Sequence, residues 1–294
     1  MIWRRTVGAL PLRVLTLSWG IAVSALALGG CDETARGTGS LRVERNPCRE
    51  RPVRMGVASS LREVAEGLAL GLESLERPVR VETTFGASSA LARQLRMGAP
   101  IDLLVSADEE LVEWLADRQL VVRDSLREIA RGRLVLVTRT GSPFETLGVA
   151  ALRSPGLRRL GLPAAAVPLG RYGRAWLERS QTLEELEGKI VSTENARANL
   201  AAIDQGHVDL AILYESDLRL GRAIHPIHRP EISEYPPIRY VAVRATRAPD
   251  CPEIDRVLEF WQSASTRSQL AAAGFELPPE RRPGRRAAAG SERS

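Results

Sequence analysis

Lysine is almost absent from this chain. Lys189 is the only one, so arginine carries nearly all the positive charge. Aromatic residues are also scarce, at 4% of the sequence, which argues against a stacking surface for bases or sugar rings. Histidine and cysteine occur three times each. His225 and His228 form H-x-x-H beside Pro226, on what reads as an edge strand, and the sequence places no third ligand near them. A metal centre is therefore not expected. No G-x-S-x-G elbow surrounds Ser60 or Ser88, and no histidine stands in the context of a general base, so an enzyme is not expected either. Asp102, in PIDLLVSAD, reads as a structural acid near a strand start rather than a catalytic base. No internal repeat is visible.

What is present is ordinary in bulk. The 294 residues suffice for one large domain or two α/β lobes, and contents of 44% hydrophobic and 26% charged residues are those of a globular protein. The formal charge is +5, but the positives are interleaved with acids and form no basic helix face, so no nucleic-acid partner is expected.

The amino-terminal region has a distinct composition. Met1 to Arg13 is basic, Val14 to Leu28 is apolar and uncharged, and Leu28-Gly29-Gly30-Cys31 follows. A basic start, an apolar run too short for a comfortable membrane span, and small residues at the end read as a secretory signal peptide over 1–30. Its removal takes away Arg4, Arg5 and Arg13, lowering +5 by three to +2. The Leu-Gly-Gly-Cys ending resembles the lipobox of bacterial lipoproteins, which implies lipidation of Cys31 and a location on the periplasmic side, anchored to the membrane. Residues 31–51 are polar and read as a flexible tether, and 278–294 as a disordered basic tail. In an exported chain Cys48 and Cys251 are expected to pair as a disulfide.

The region between alternates strand and helix. Pro52 to Ala58 reads as a strand. Leu61, Val64, Ala65, Leu68, Leu72 and Leu75 recur at helical spacing. A strand over Val79–Phe85, a short helix over Ala90–Met97, a buried strand over Ile101–Ser106 and a helix over Asp108–Gln119 follow, the last begun by a capping pair of Ser106 and Glu109. Strands over Arg133–Thr138, Leu157–Leu162, Lys189–Val191 and Val208–Tyr214 alternate with helices over Arg171–Ser180 and Ala196–Gln205. Ile238–Val243 is a late strand and Glu253–Ala272 a final helix. This pattern predicts an α/β fold with mainly parallel sheets flanked by helices. Ligands of such sheets bind at the carboxyl ends of strands and at helix N-termini.

Four strand-to-helix turns are rich in small or hydroxylated residues: Ala58-Ser59-Ser60-Leu61, Gly86-Ala87-Ser88-Ser89, Val167-Pro168-Leu169-Gly170-Arg171-Tyr172, and Thr193-Glu194-Asn195-Ala196-Arg197. A further segment, Leu213-Tyr214-Glu215-Ser216-Asp217, ends an apolar strand with a tyrosine. The first turn of a helix leaves N–H groups without internal partners, and the helix dipole adds partial positive charge there. Several such termini meeting in one cleft hold an anion without a counter-cation. A cage of donors alone suits a fully ionised tetrahedral dianion, whose oxygens only accept. Taken singly, each serine reads as an ordinary N-cap; the argument rests on their joint occurrence.

The stretches VASSL (Val57–Leu61), FGASSALARQLRMGAPIDLLVSAD (Phe85–Asp108), AVPLGRYGRAWLE (Ala166–Glu178), ENARANLAAIDQGHVDLAILYESD (Glu194–Asp217) and YPPIRYVAVR (Tyr235–Arg244) together resemble the periplasmic molybdate-binding proteins of ABC importers. The resemblance covers roughly Pro52 to Phe275. It implies a two-lobed periplasmic binding protein type II fold, with the ligand cleft between lobe 1 (52–130 plus 237–277) and lobe 2 (131–236). Further, it implies a solute-binding lipoprotein that captures molybdate or tungstate and delivers it to a permease and its ATPase. A monomer without a cofactor is expected. Ligand contacts carry over to the hydroxyls of Ser60, Ser88 and Tyr214 and to the backbone N–H groups of Leu169 and Ala196. The oxyanion is held through its oxygens, with no side chain bound to the metal. Leu169 stands where many relatives have alanine, and Leu162-Pro163-Ala164-Ala165 departs from the family's Asp-Pro pattern. The alternatives are another tetrahedral oxyanion, such as sulfate or phosphate, or a sensory binding module.

Overall fold

The structure, a computed structural model, describes residues 51–279. The signal segment, Cys31, Cys48 and the tail beyond residue 279 lie outside the described residues.

Among the described residues ten strands form two five-stranded sheets. The first contains β1 (Val53–Ala58), β2 (Val81–Gly86), β3 (Leu103–Ser106), β4 (Arg127–Gly132) and β10 (Ile238–Arg244), in the order β2-β1-β3-β10-β4. The second contains β5 (Leu134–Arg139), β6 (Leu160–Pro163), β7 (Ile190–Thr193), β8 (Leu210–Tyr214) and β9 (Ile224–His228), in the order β7-β6-β8-β5-β9. In each sheet four strands run one way and one runs against them: β10 is antiparallel to β3 and β4, and β5 is antiparallel to β8 and β9. The reversed strand is in both cases the one by which the chain enters from the other sheet. Both sheets therefore have the same order relative to their point of entry, a structural repeat with no counterpart in the sequence.

The helices are α1 (Arg62–Glu73), α2 (Ser88–Arg96), α3 (Glu109–Asp117), α4 (Pro168–Arg179), α5 (Leu183–Leu186), α6 (Ala196–Asp204), α7 (Pro252–Phe260) and α8 (Ala264–Ala272). Val64, Ala65, Leu68 and Leu72 give α1 one apolar stripe, and all four are buried. Helices α1, α2, α3 and α7 pack on the first sheet, and α4 and α6 on the second. Gly98 and Gly206 follow α2 and α6 at positive φ (90° and 76°), a left-handed helix stop that glycine adopts without strain. Asp102 is buried and accepts from both terminal nitrogens of Arg51 and from Arg54 N–H, a structural role. Cys251 is buried and disulfide-bonded.

Three local expectations change. Helix α3 is capped by Asp108, whose Oδ1 accepts from Leu111 N–H at 3.2 Å, and not by Ser106. Ser106 Oγ instead bonds the Asp108 backbone, accepting from its N–H at 3.0 Å and donating to its carbonyl at 2.9 Å. The final helix is two, because Ser263 caps α8 by accepting from Thr266 N–H and so interrupts the helical ladder. Strand β4 was not foreseen. Its sequence, REIARG, carries charge at both ends and lacks an apolar run.

Candidate anion-binding site

The carboxyl ends of β1, β2, β3 and β8 face the N-termini of α4 and α6 around one small cavity. Ser60, Ser88, Leu169, Ala196 and Tyr214 all line it, together with Ser59, Ala107 and Pro168 among others. No charged side chain is among the lining residues. The space in which a water-sized sphere could be centred is about 10 Å³, roughly what one water needs. An amino acid, a peptide or a sugar does not fit a cage of this size.

Each wall places donors for a local reason. Ser88 is the first residue of α2, after an N-cap at Ala87 that makes no side-chain cap. Its Oγ does not cap the helix; it accepts from Ala107 N–H at 3.0 Å. With that contact occupying the oxygen, the single hydroxyl hydrogen is left to donate elsewhere. Ser60 lies in a single 3-10 turn, Ser59–Leu61, at the end of β1, again without a side-chain cap. In α4 the first position is Pro168, which has no N–H to lose, so Leu169 supplies a free N–H of the first turn. The Leu169 side chain is buried in the core, 1% exposed. Helix α6 begins at Ala196 behind Asn195, whose side chain accepts from Ala198 N–H at 3.0 Å and leaves the Ala196 N–H open. Asn199, one turn on and fully buried, donates to the carbonyls of Gly161 and Ile212 and so pins α6 to β6 and β8. Burial holds the Tyr214 phenol well above its ordinary pKa, so it stays a neutral O–H donor. Its ring meets Tyr240 edge-on at 5.9 Å.

The family model described as "Bacterial extracellular solute-binding protein" matches residues 53–276. The chain belongs to that family. The putative ABC transporter substrate-binding lipoprotein YvgL of Bacillus subtilis is 23% identical over 221 residues, covering 75% of this chain and 85% of YvgL. The molybdate-binding protein ModA of Haemophilus influenzae is 23% identical over 224 residues, covering 74% and 87%. Among solved structures, the periplasmic molybdate-binding protein of Azotobacter vinelandii superposes with a TM-score of 0.69 at 21% identity, covering 77% of this chain and 99% of that one. The sulfate-binding protein SubI of Mycobacterium tuberculosis gives 0.66 at 18%, covering 77% and 86%. The fold of this solute-binding protein is thus the type II periplasmic binding protein fold. Among the described residues no helix is long and apolar enough to cross a membrane.

The charged groups of this solute-binding protein stand just outside the cage; the sequence placed both arginines in the donor turns but gave them no role. Arg171 and Arg197 follow the two N–H donors Leu169 and Ala196 by two residues and one residue. Arg171 pairs with Asp108 at 2.7 Å, and Arg197 with Asp217 at 2.7 Å. His228 is committed elsewhere, stacked on Trp176 at 5.8 Å. Among the described residues no cluster of three or more His, Cys, Asp or Glu could hold a metal.

Asp217 is fully buried, and burial pushes its carboxyl up to about 7 against the opposing pull of Arg197. The folded chain thus holds this proton more tightly than the unfolded one. The resulting contribution to stability is fully present below the ordinary carboxylate range and is lost as pH rises from about 4 to about 7. Asp217→Asn removes the titration. The stability difference is expected to move in the variant's favour across that window, by about 4 kcal/mol at most. Urea midpoints of both proteins measured across this range check it; parallel curves contradict the assignment.

Proposed function

We propose that this protein is an exported, lipid-anchored solute-binding protein that captures a tetrahedral oxyanion, molybdate or tungstate first, for an ABC permease. The observation that carries the reading is the single small cavity lined by Ser60, Ser88, Leu169, Ala196 and Tyr214, with no charged side chain on its wall. Such a wall offers hydroxyl and N–H donors to a dianion that only accepts. A hydrogenphosphate ion carries a proton that needs an acceptor, so phosphate suits this wall less well. The ligand bridges the lobes and favours their closed arrangement by its higher affinity for it. Likeness to molybdate-binding proteins in sequence and fold supports molybdate. Likeness to a sulfate-binding protein makes sulfate the second reading. Anchoring rests on Cys31 in its lipobox-like setting, and the mass of the exported chain tests it.

A thermal-shift series with molybdate, tungstate, sulfate, phosphate and chromate decides among these. Molybdate and tungstate are expected to raise the melting temperature in a concentration-dependent way, because a ligand that binds only the folded chain stabilises it by mass action. A response to sulfate alone would move the protein to the second reading, and no response to any of the five would overturn oxyanion capture.

A further inference from the structure

Two arginines reach from the second lobe to the first, one at each flank of the cage. On one flank Arg197 donates to the carbonyls of Ser59 and Ser60 at 3.1 and 3.2 Å and pairs with Glu63. It is anchored from behind by the buried Asp217. On the other flank Arg171 pairs with Asp108 at 2.7 Å and with Glu110, while the neighbouring Tyr172 hydroxyl bonds the Ala107 carbonyl at 3.4 Å. Each arginine also borders a hollow outside the cage. One of about 300 Å³ is lined by Arg197, Glu63 and Ser60, and one of about 420 Å³ by Arg171, Asp108 and Glu110.

The partners on the first lobe belong to the segments that carry the donors. Ser59 and Ser60 themselves line the cage, as does Ala107, the residue before Asp108. By holding the carbonyl side of the Ser59 and Ser60 peptides, Arg197 sets the orientation of the turn that presents the Ser60 hydroxyl. Neither arginine lines the cage, so neither is needed to contact a bound ion. We propose that Arg197 and Arg171 are positioning residues that latch the two lobes shut and align the donors. They set how long a captured anion stays rather than how fast it arrives. The latch rests on the proposed capture of an oxyanion.

Arginine suits this task. In Arg197 the planar fork serves two carbonyls and two carboxylates at once, which a lysine ammonium cannot do in fixed geometry. The two flanks are unequal. Glu110 is largely exposed, and its pair with Arg171 contributes little by itself. Asp108 and Asp217 are shielded from water, so the bonds to them are the stronger part of each latch.

The test is stopped-flow binding of molybdate, tungstate and sulfate to the purified protein and to Arg171→Gln, Arg197→Gln and the double variant. Each single variant is expected to speed dissociation about tenfold and the double variant about a hundredfold, with association changed far less. Arg197→Lys should recover only part of the loss. Arg197→Gln leaves Asp217 buried without its ion partner, at a cost to folding; Glu63→Gln removes the cross-lobe partner while keeping that pair, and should also speed dissociation. Wild-type dissociation rates in the double variant and in Glu63→Gln overturn the latch. If the wild-type protein binds none of the three ions, oxyanion capture falls by itself, and X-ray scattering then decides the latch. The double variant should have a larger radius of gyration than the wild type, and equal radii overturn it.

Discussion

Gly170→Ala is expected to destabilise the protein by about 3 kcal/mol or more. A β-carbon at this position would lie 2.2 Å from the Ala164 carbonyl oxygen and 2.3 Å from that of Pro163. Both obstacles are backbone, so no side chain can swing aside to make room. The close approach exists because the first turn of α4 folds back over the end of β6, with Val167 N–H bonded to the Ala164 carbonyl at 2.8 Å. Relief requires the helix start to move away from that loop, and Leu169, with its free N–H, moves too. Binding is therefore expected to weaken along with stability. A loss of this size corresponds to a fall in melting temperature of roughly 6–12 °C for a domain of this length. Gly188→Ala is the control, since a β-carbon there meets nothing within 4 Å. A Gly170→Ala protein that melts with the wild type would show that the turn is not held as described.

Ser88→Ala is expected to weaken oxyanion binding about ten- to a hundredfold, the loss of one hydrogen bond to a charged acceptor. It has a second consequence that an N-cap serine would not have. The Ser88 oxygen is the acceptor for Ala107 N–H, in a buried setting, and alanine leaves that N–H unpaired at a cost of about 1–3 kcal/mol. Ser60→Ala should show the binding loss with a smaller effect on stability. Isothermal titration calorimetry with molybdate measures the first effect and urea unfolding the second. Unchanged affinity in both serine variants would remove these hydroxyls from the site.

The sequence by itself determined the alternation of strands and helices and the places where donors cluster. Both are local: a buried strand reads as an apolar run, and the open N–H groups of a first turn follow from helix geometry wherever the helix starts. The turns that contain Ser60, Ser88, Leu169, Ala196 and Tyr214 could therefore be singled out locally, the individual residues being what the family resemblance implied, and the fold gathers them around one cavity. Strand β4 escaped because its short, charged-ended sequence has no pattern of its own; it is held by its register against β10. Only the tertiary structure decided the rest. Arg197 and Glu63 are 134 residues apart, and Arg171 and Glu110 are 61 apart. In the sequence each of these arginines stands in a donor turn with no partner in view. They acquire partners because the chain crosses between the sheets and brings the end of β1 against the start of α6, and the end of β3 against the start of α4. The depth of Asp217, and with it the pull of its carboxyl toward neutral pH, has the same origin: burial is set by everything that packs over a residue, and that packing comes from distant parts of the chain.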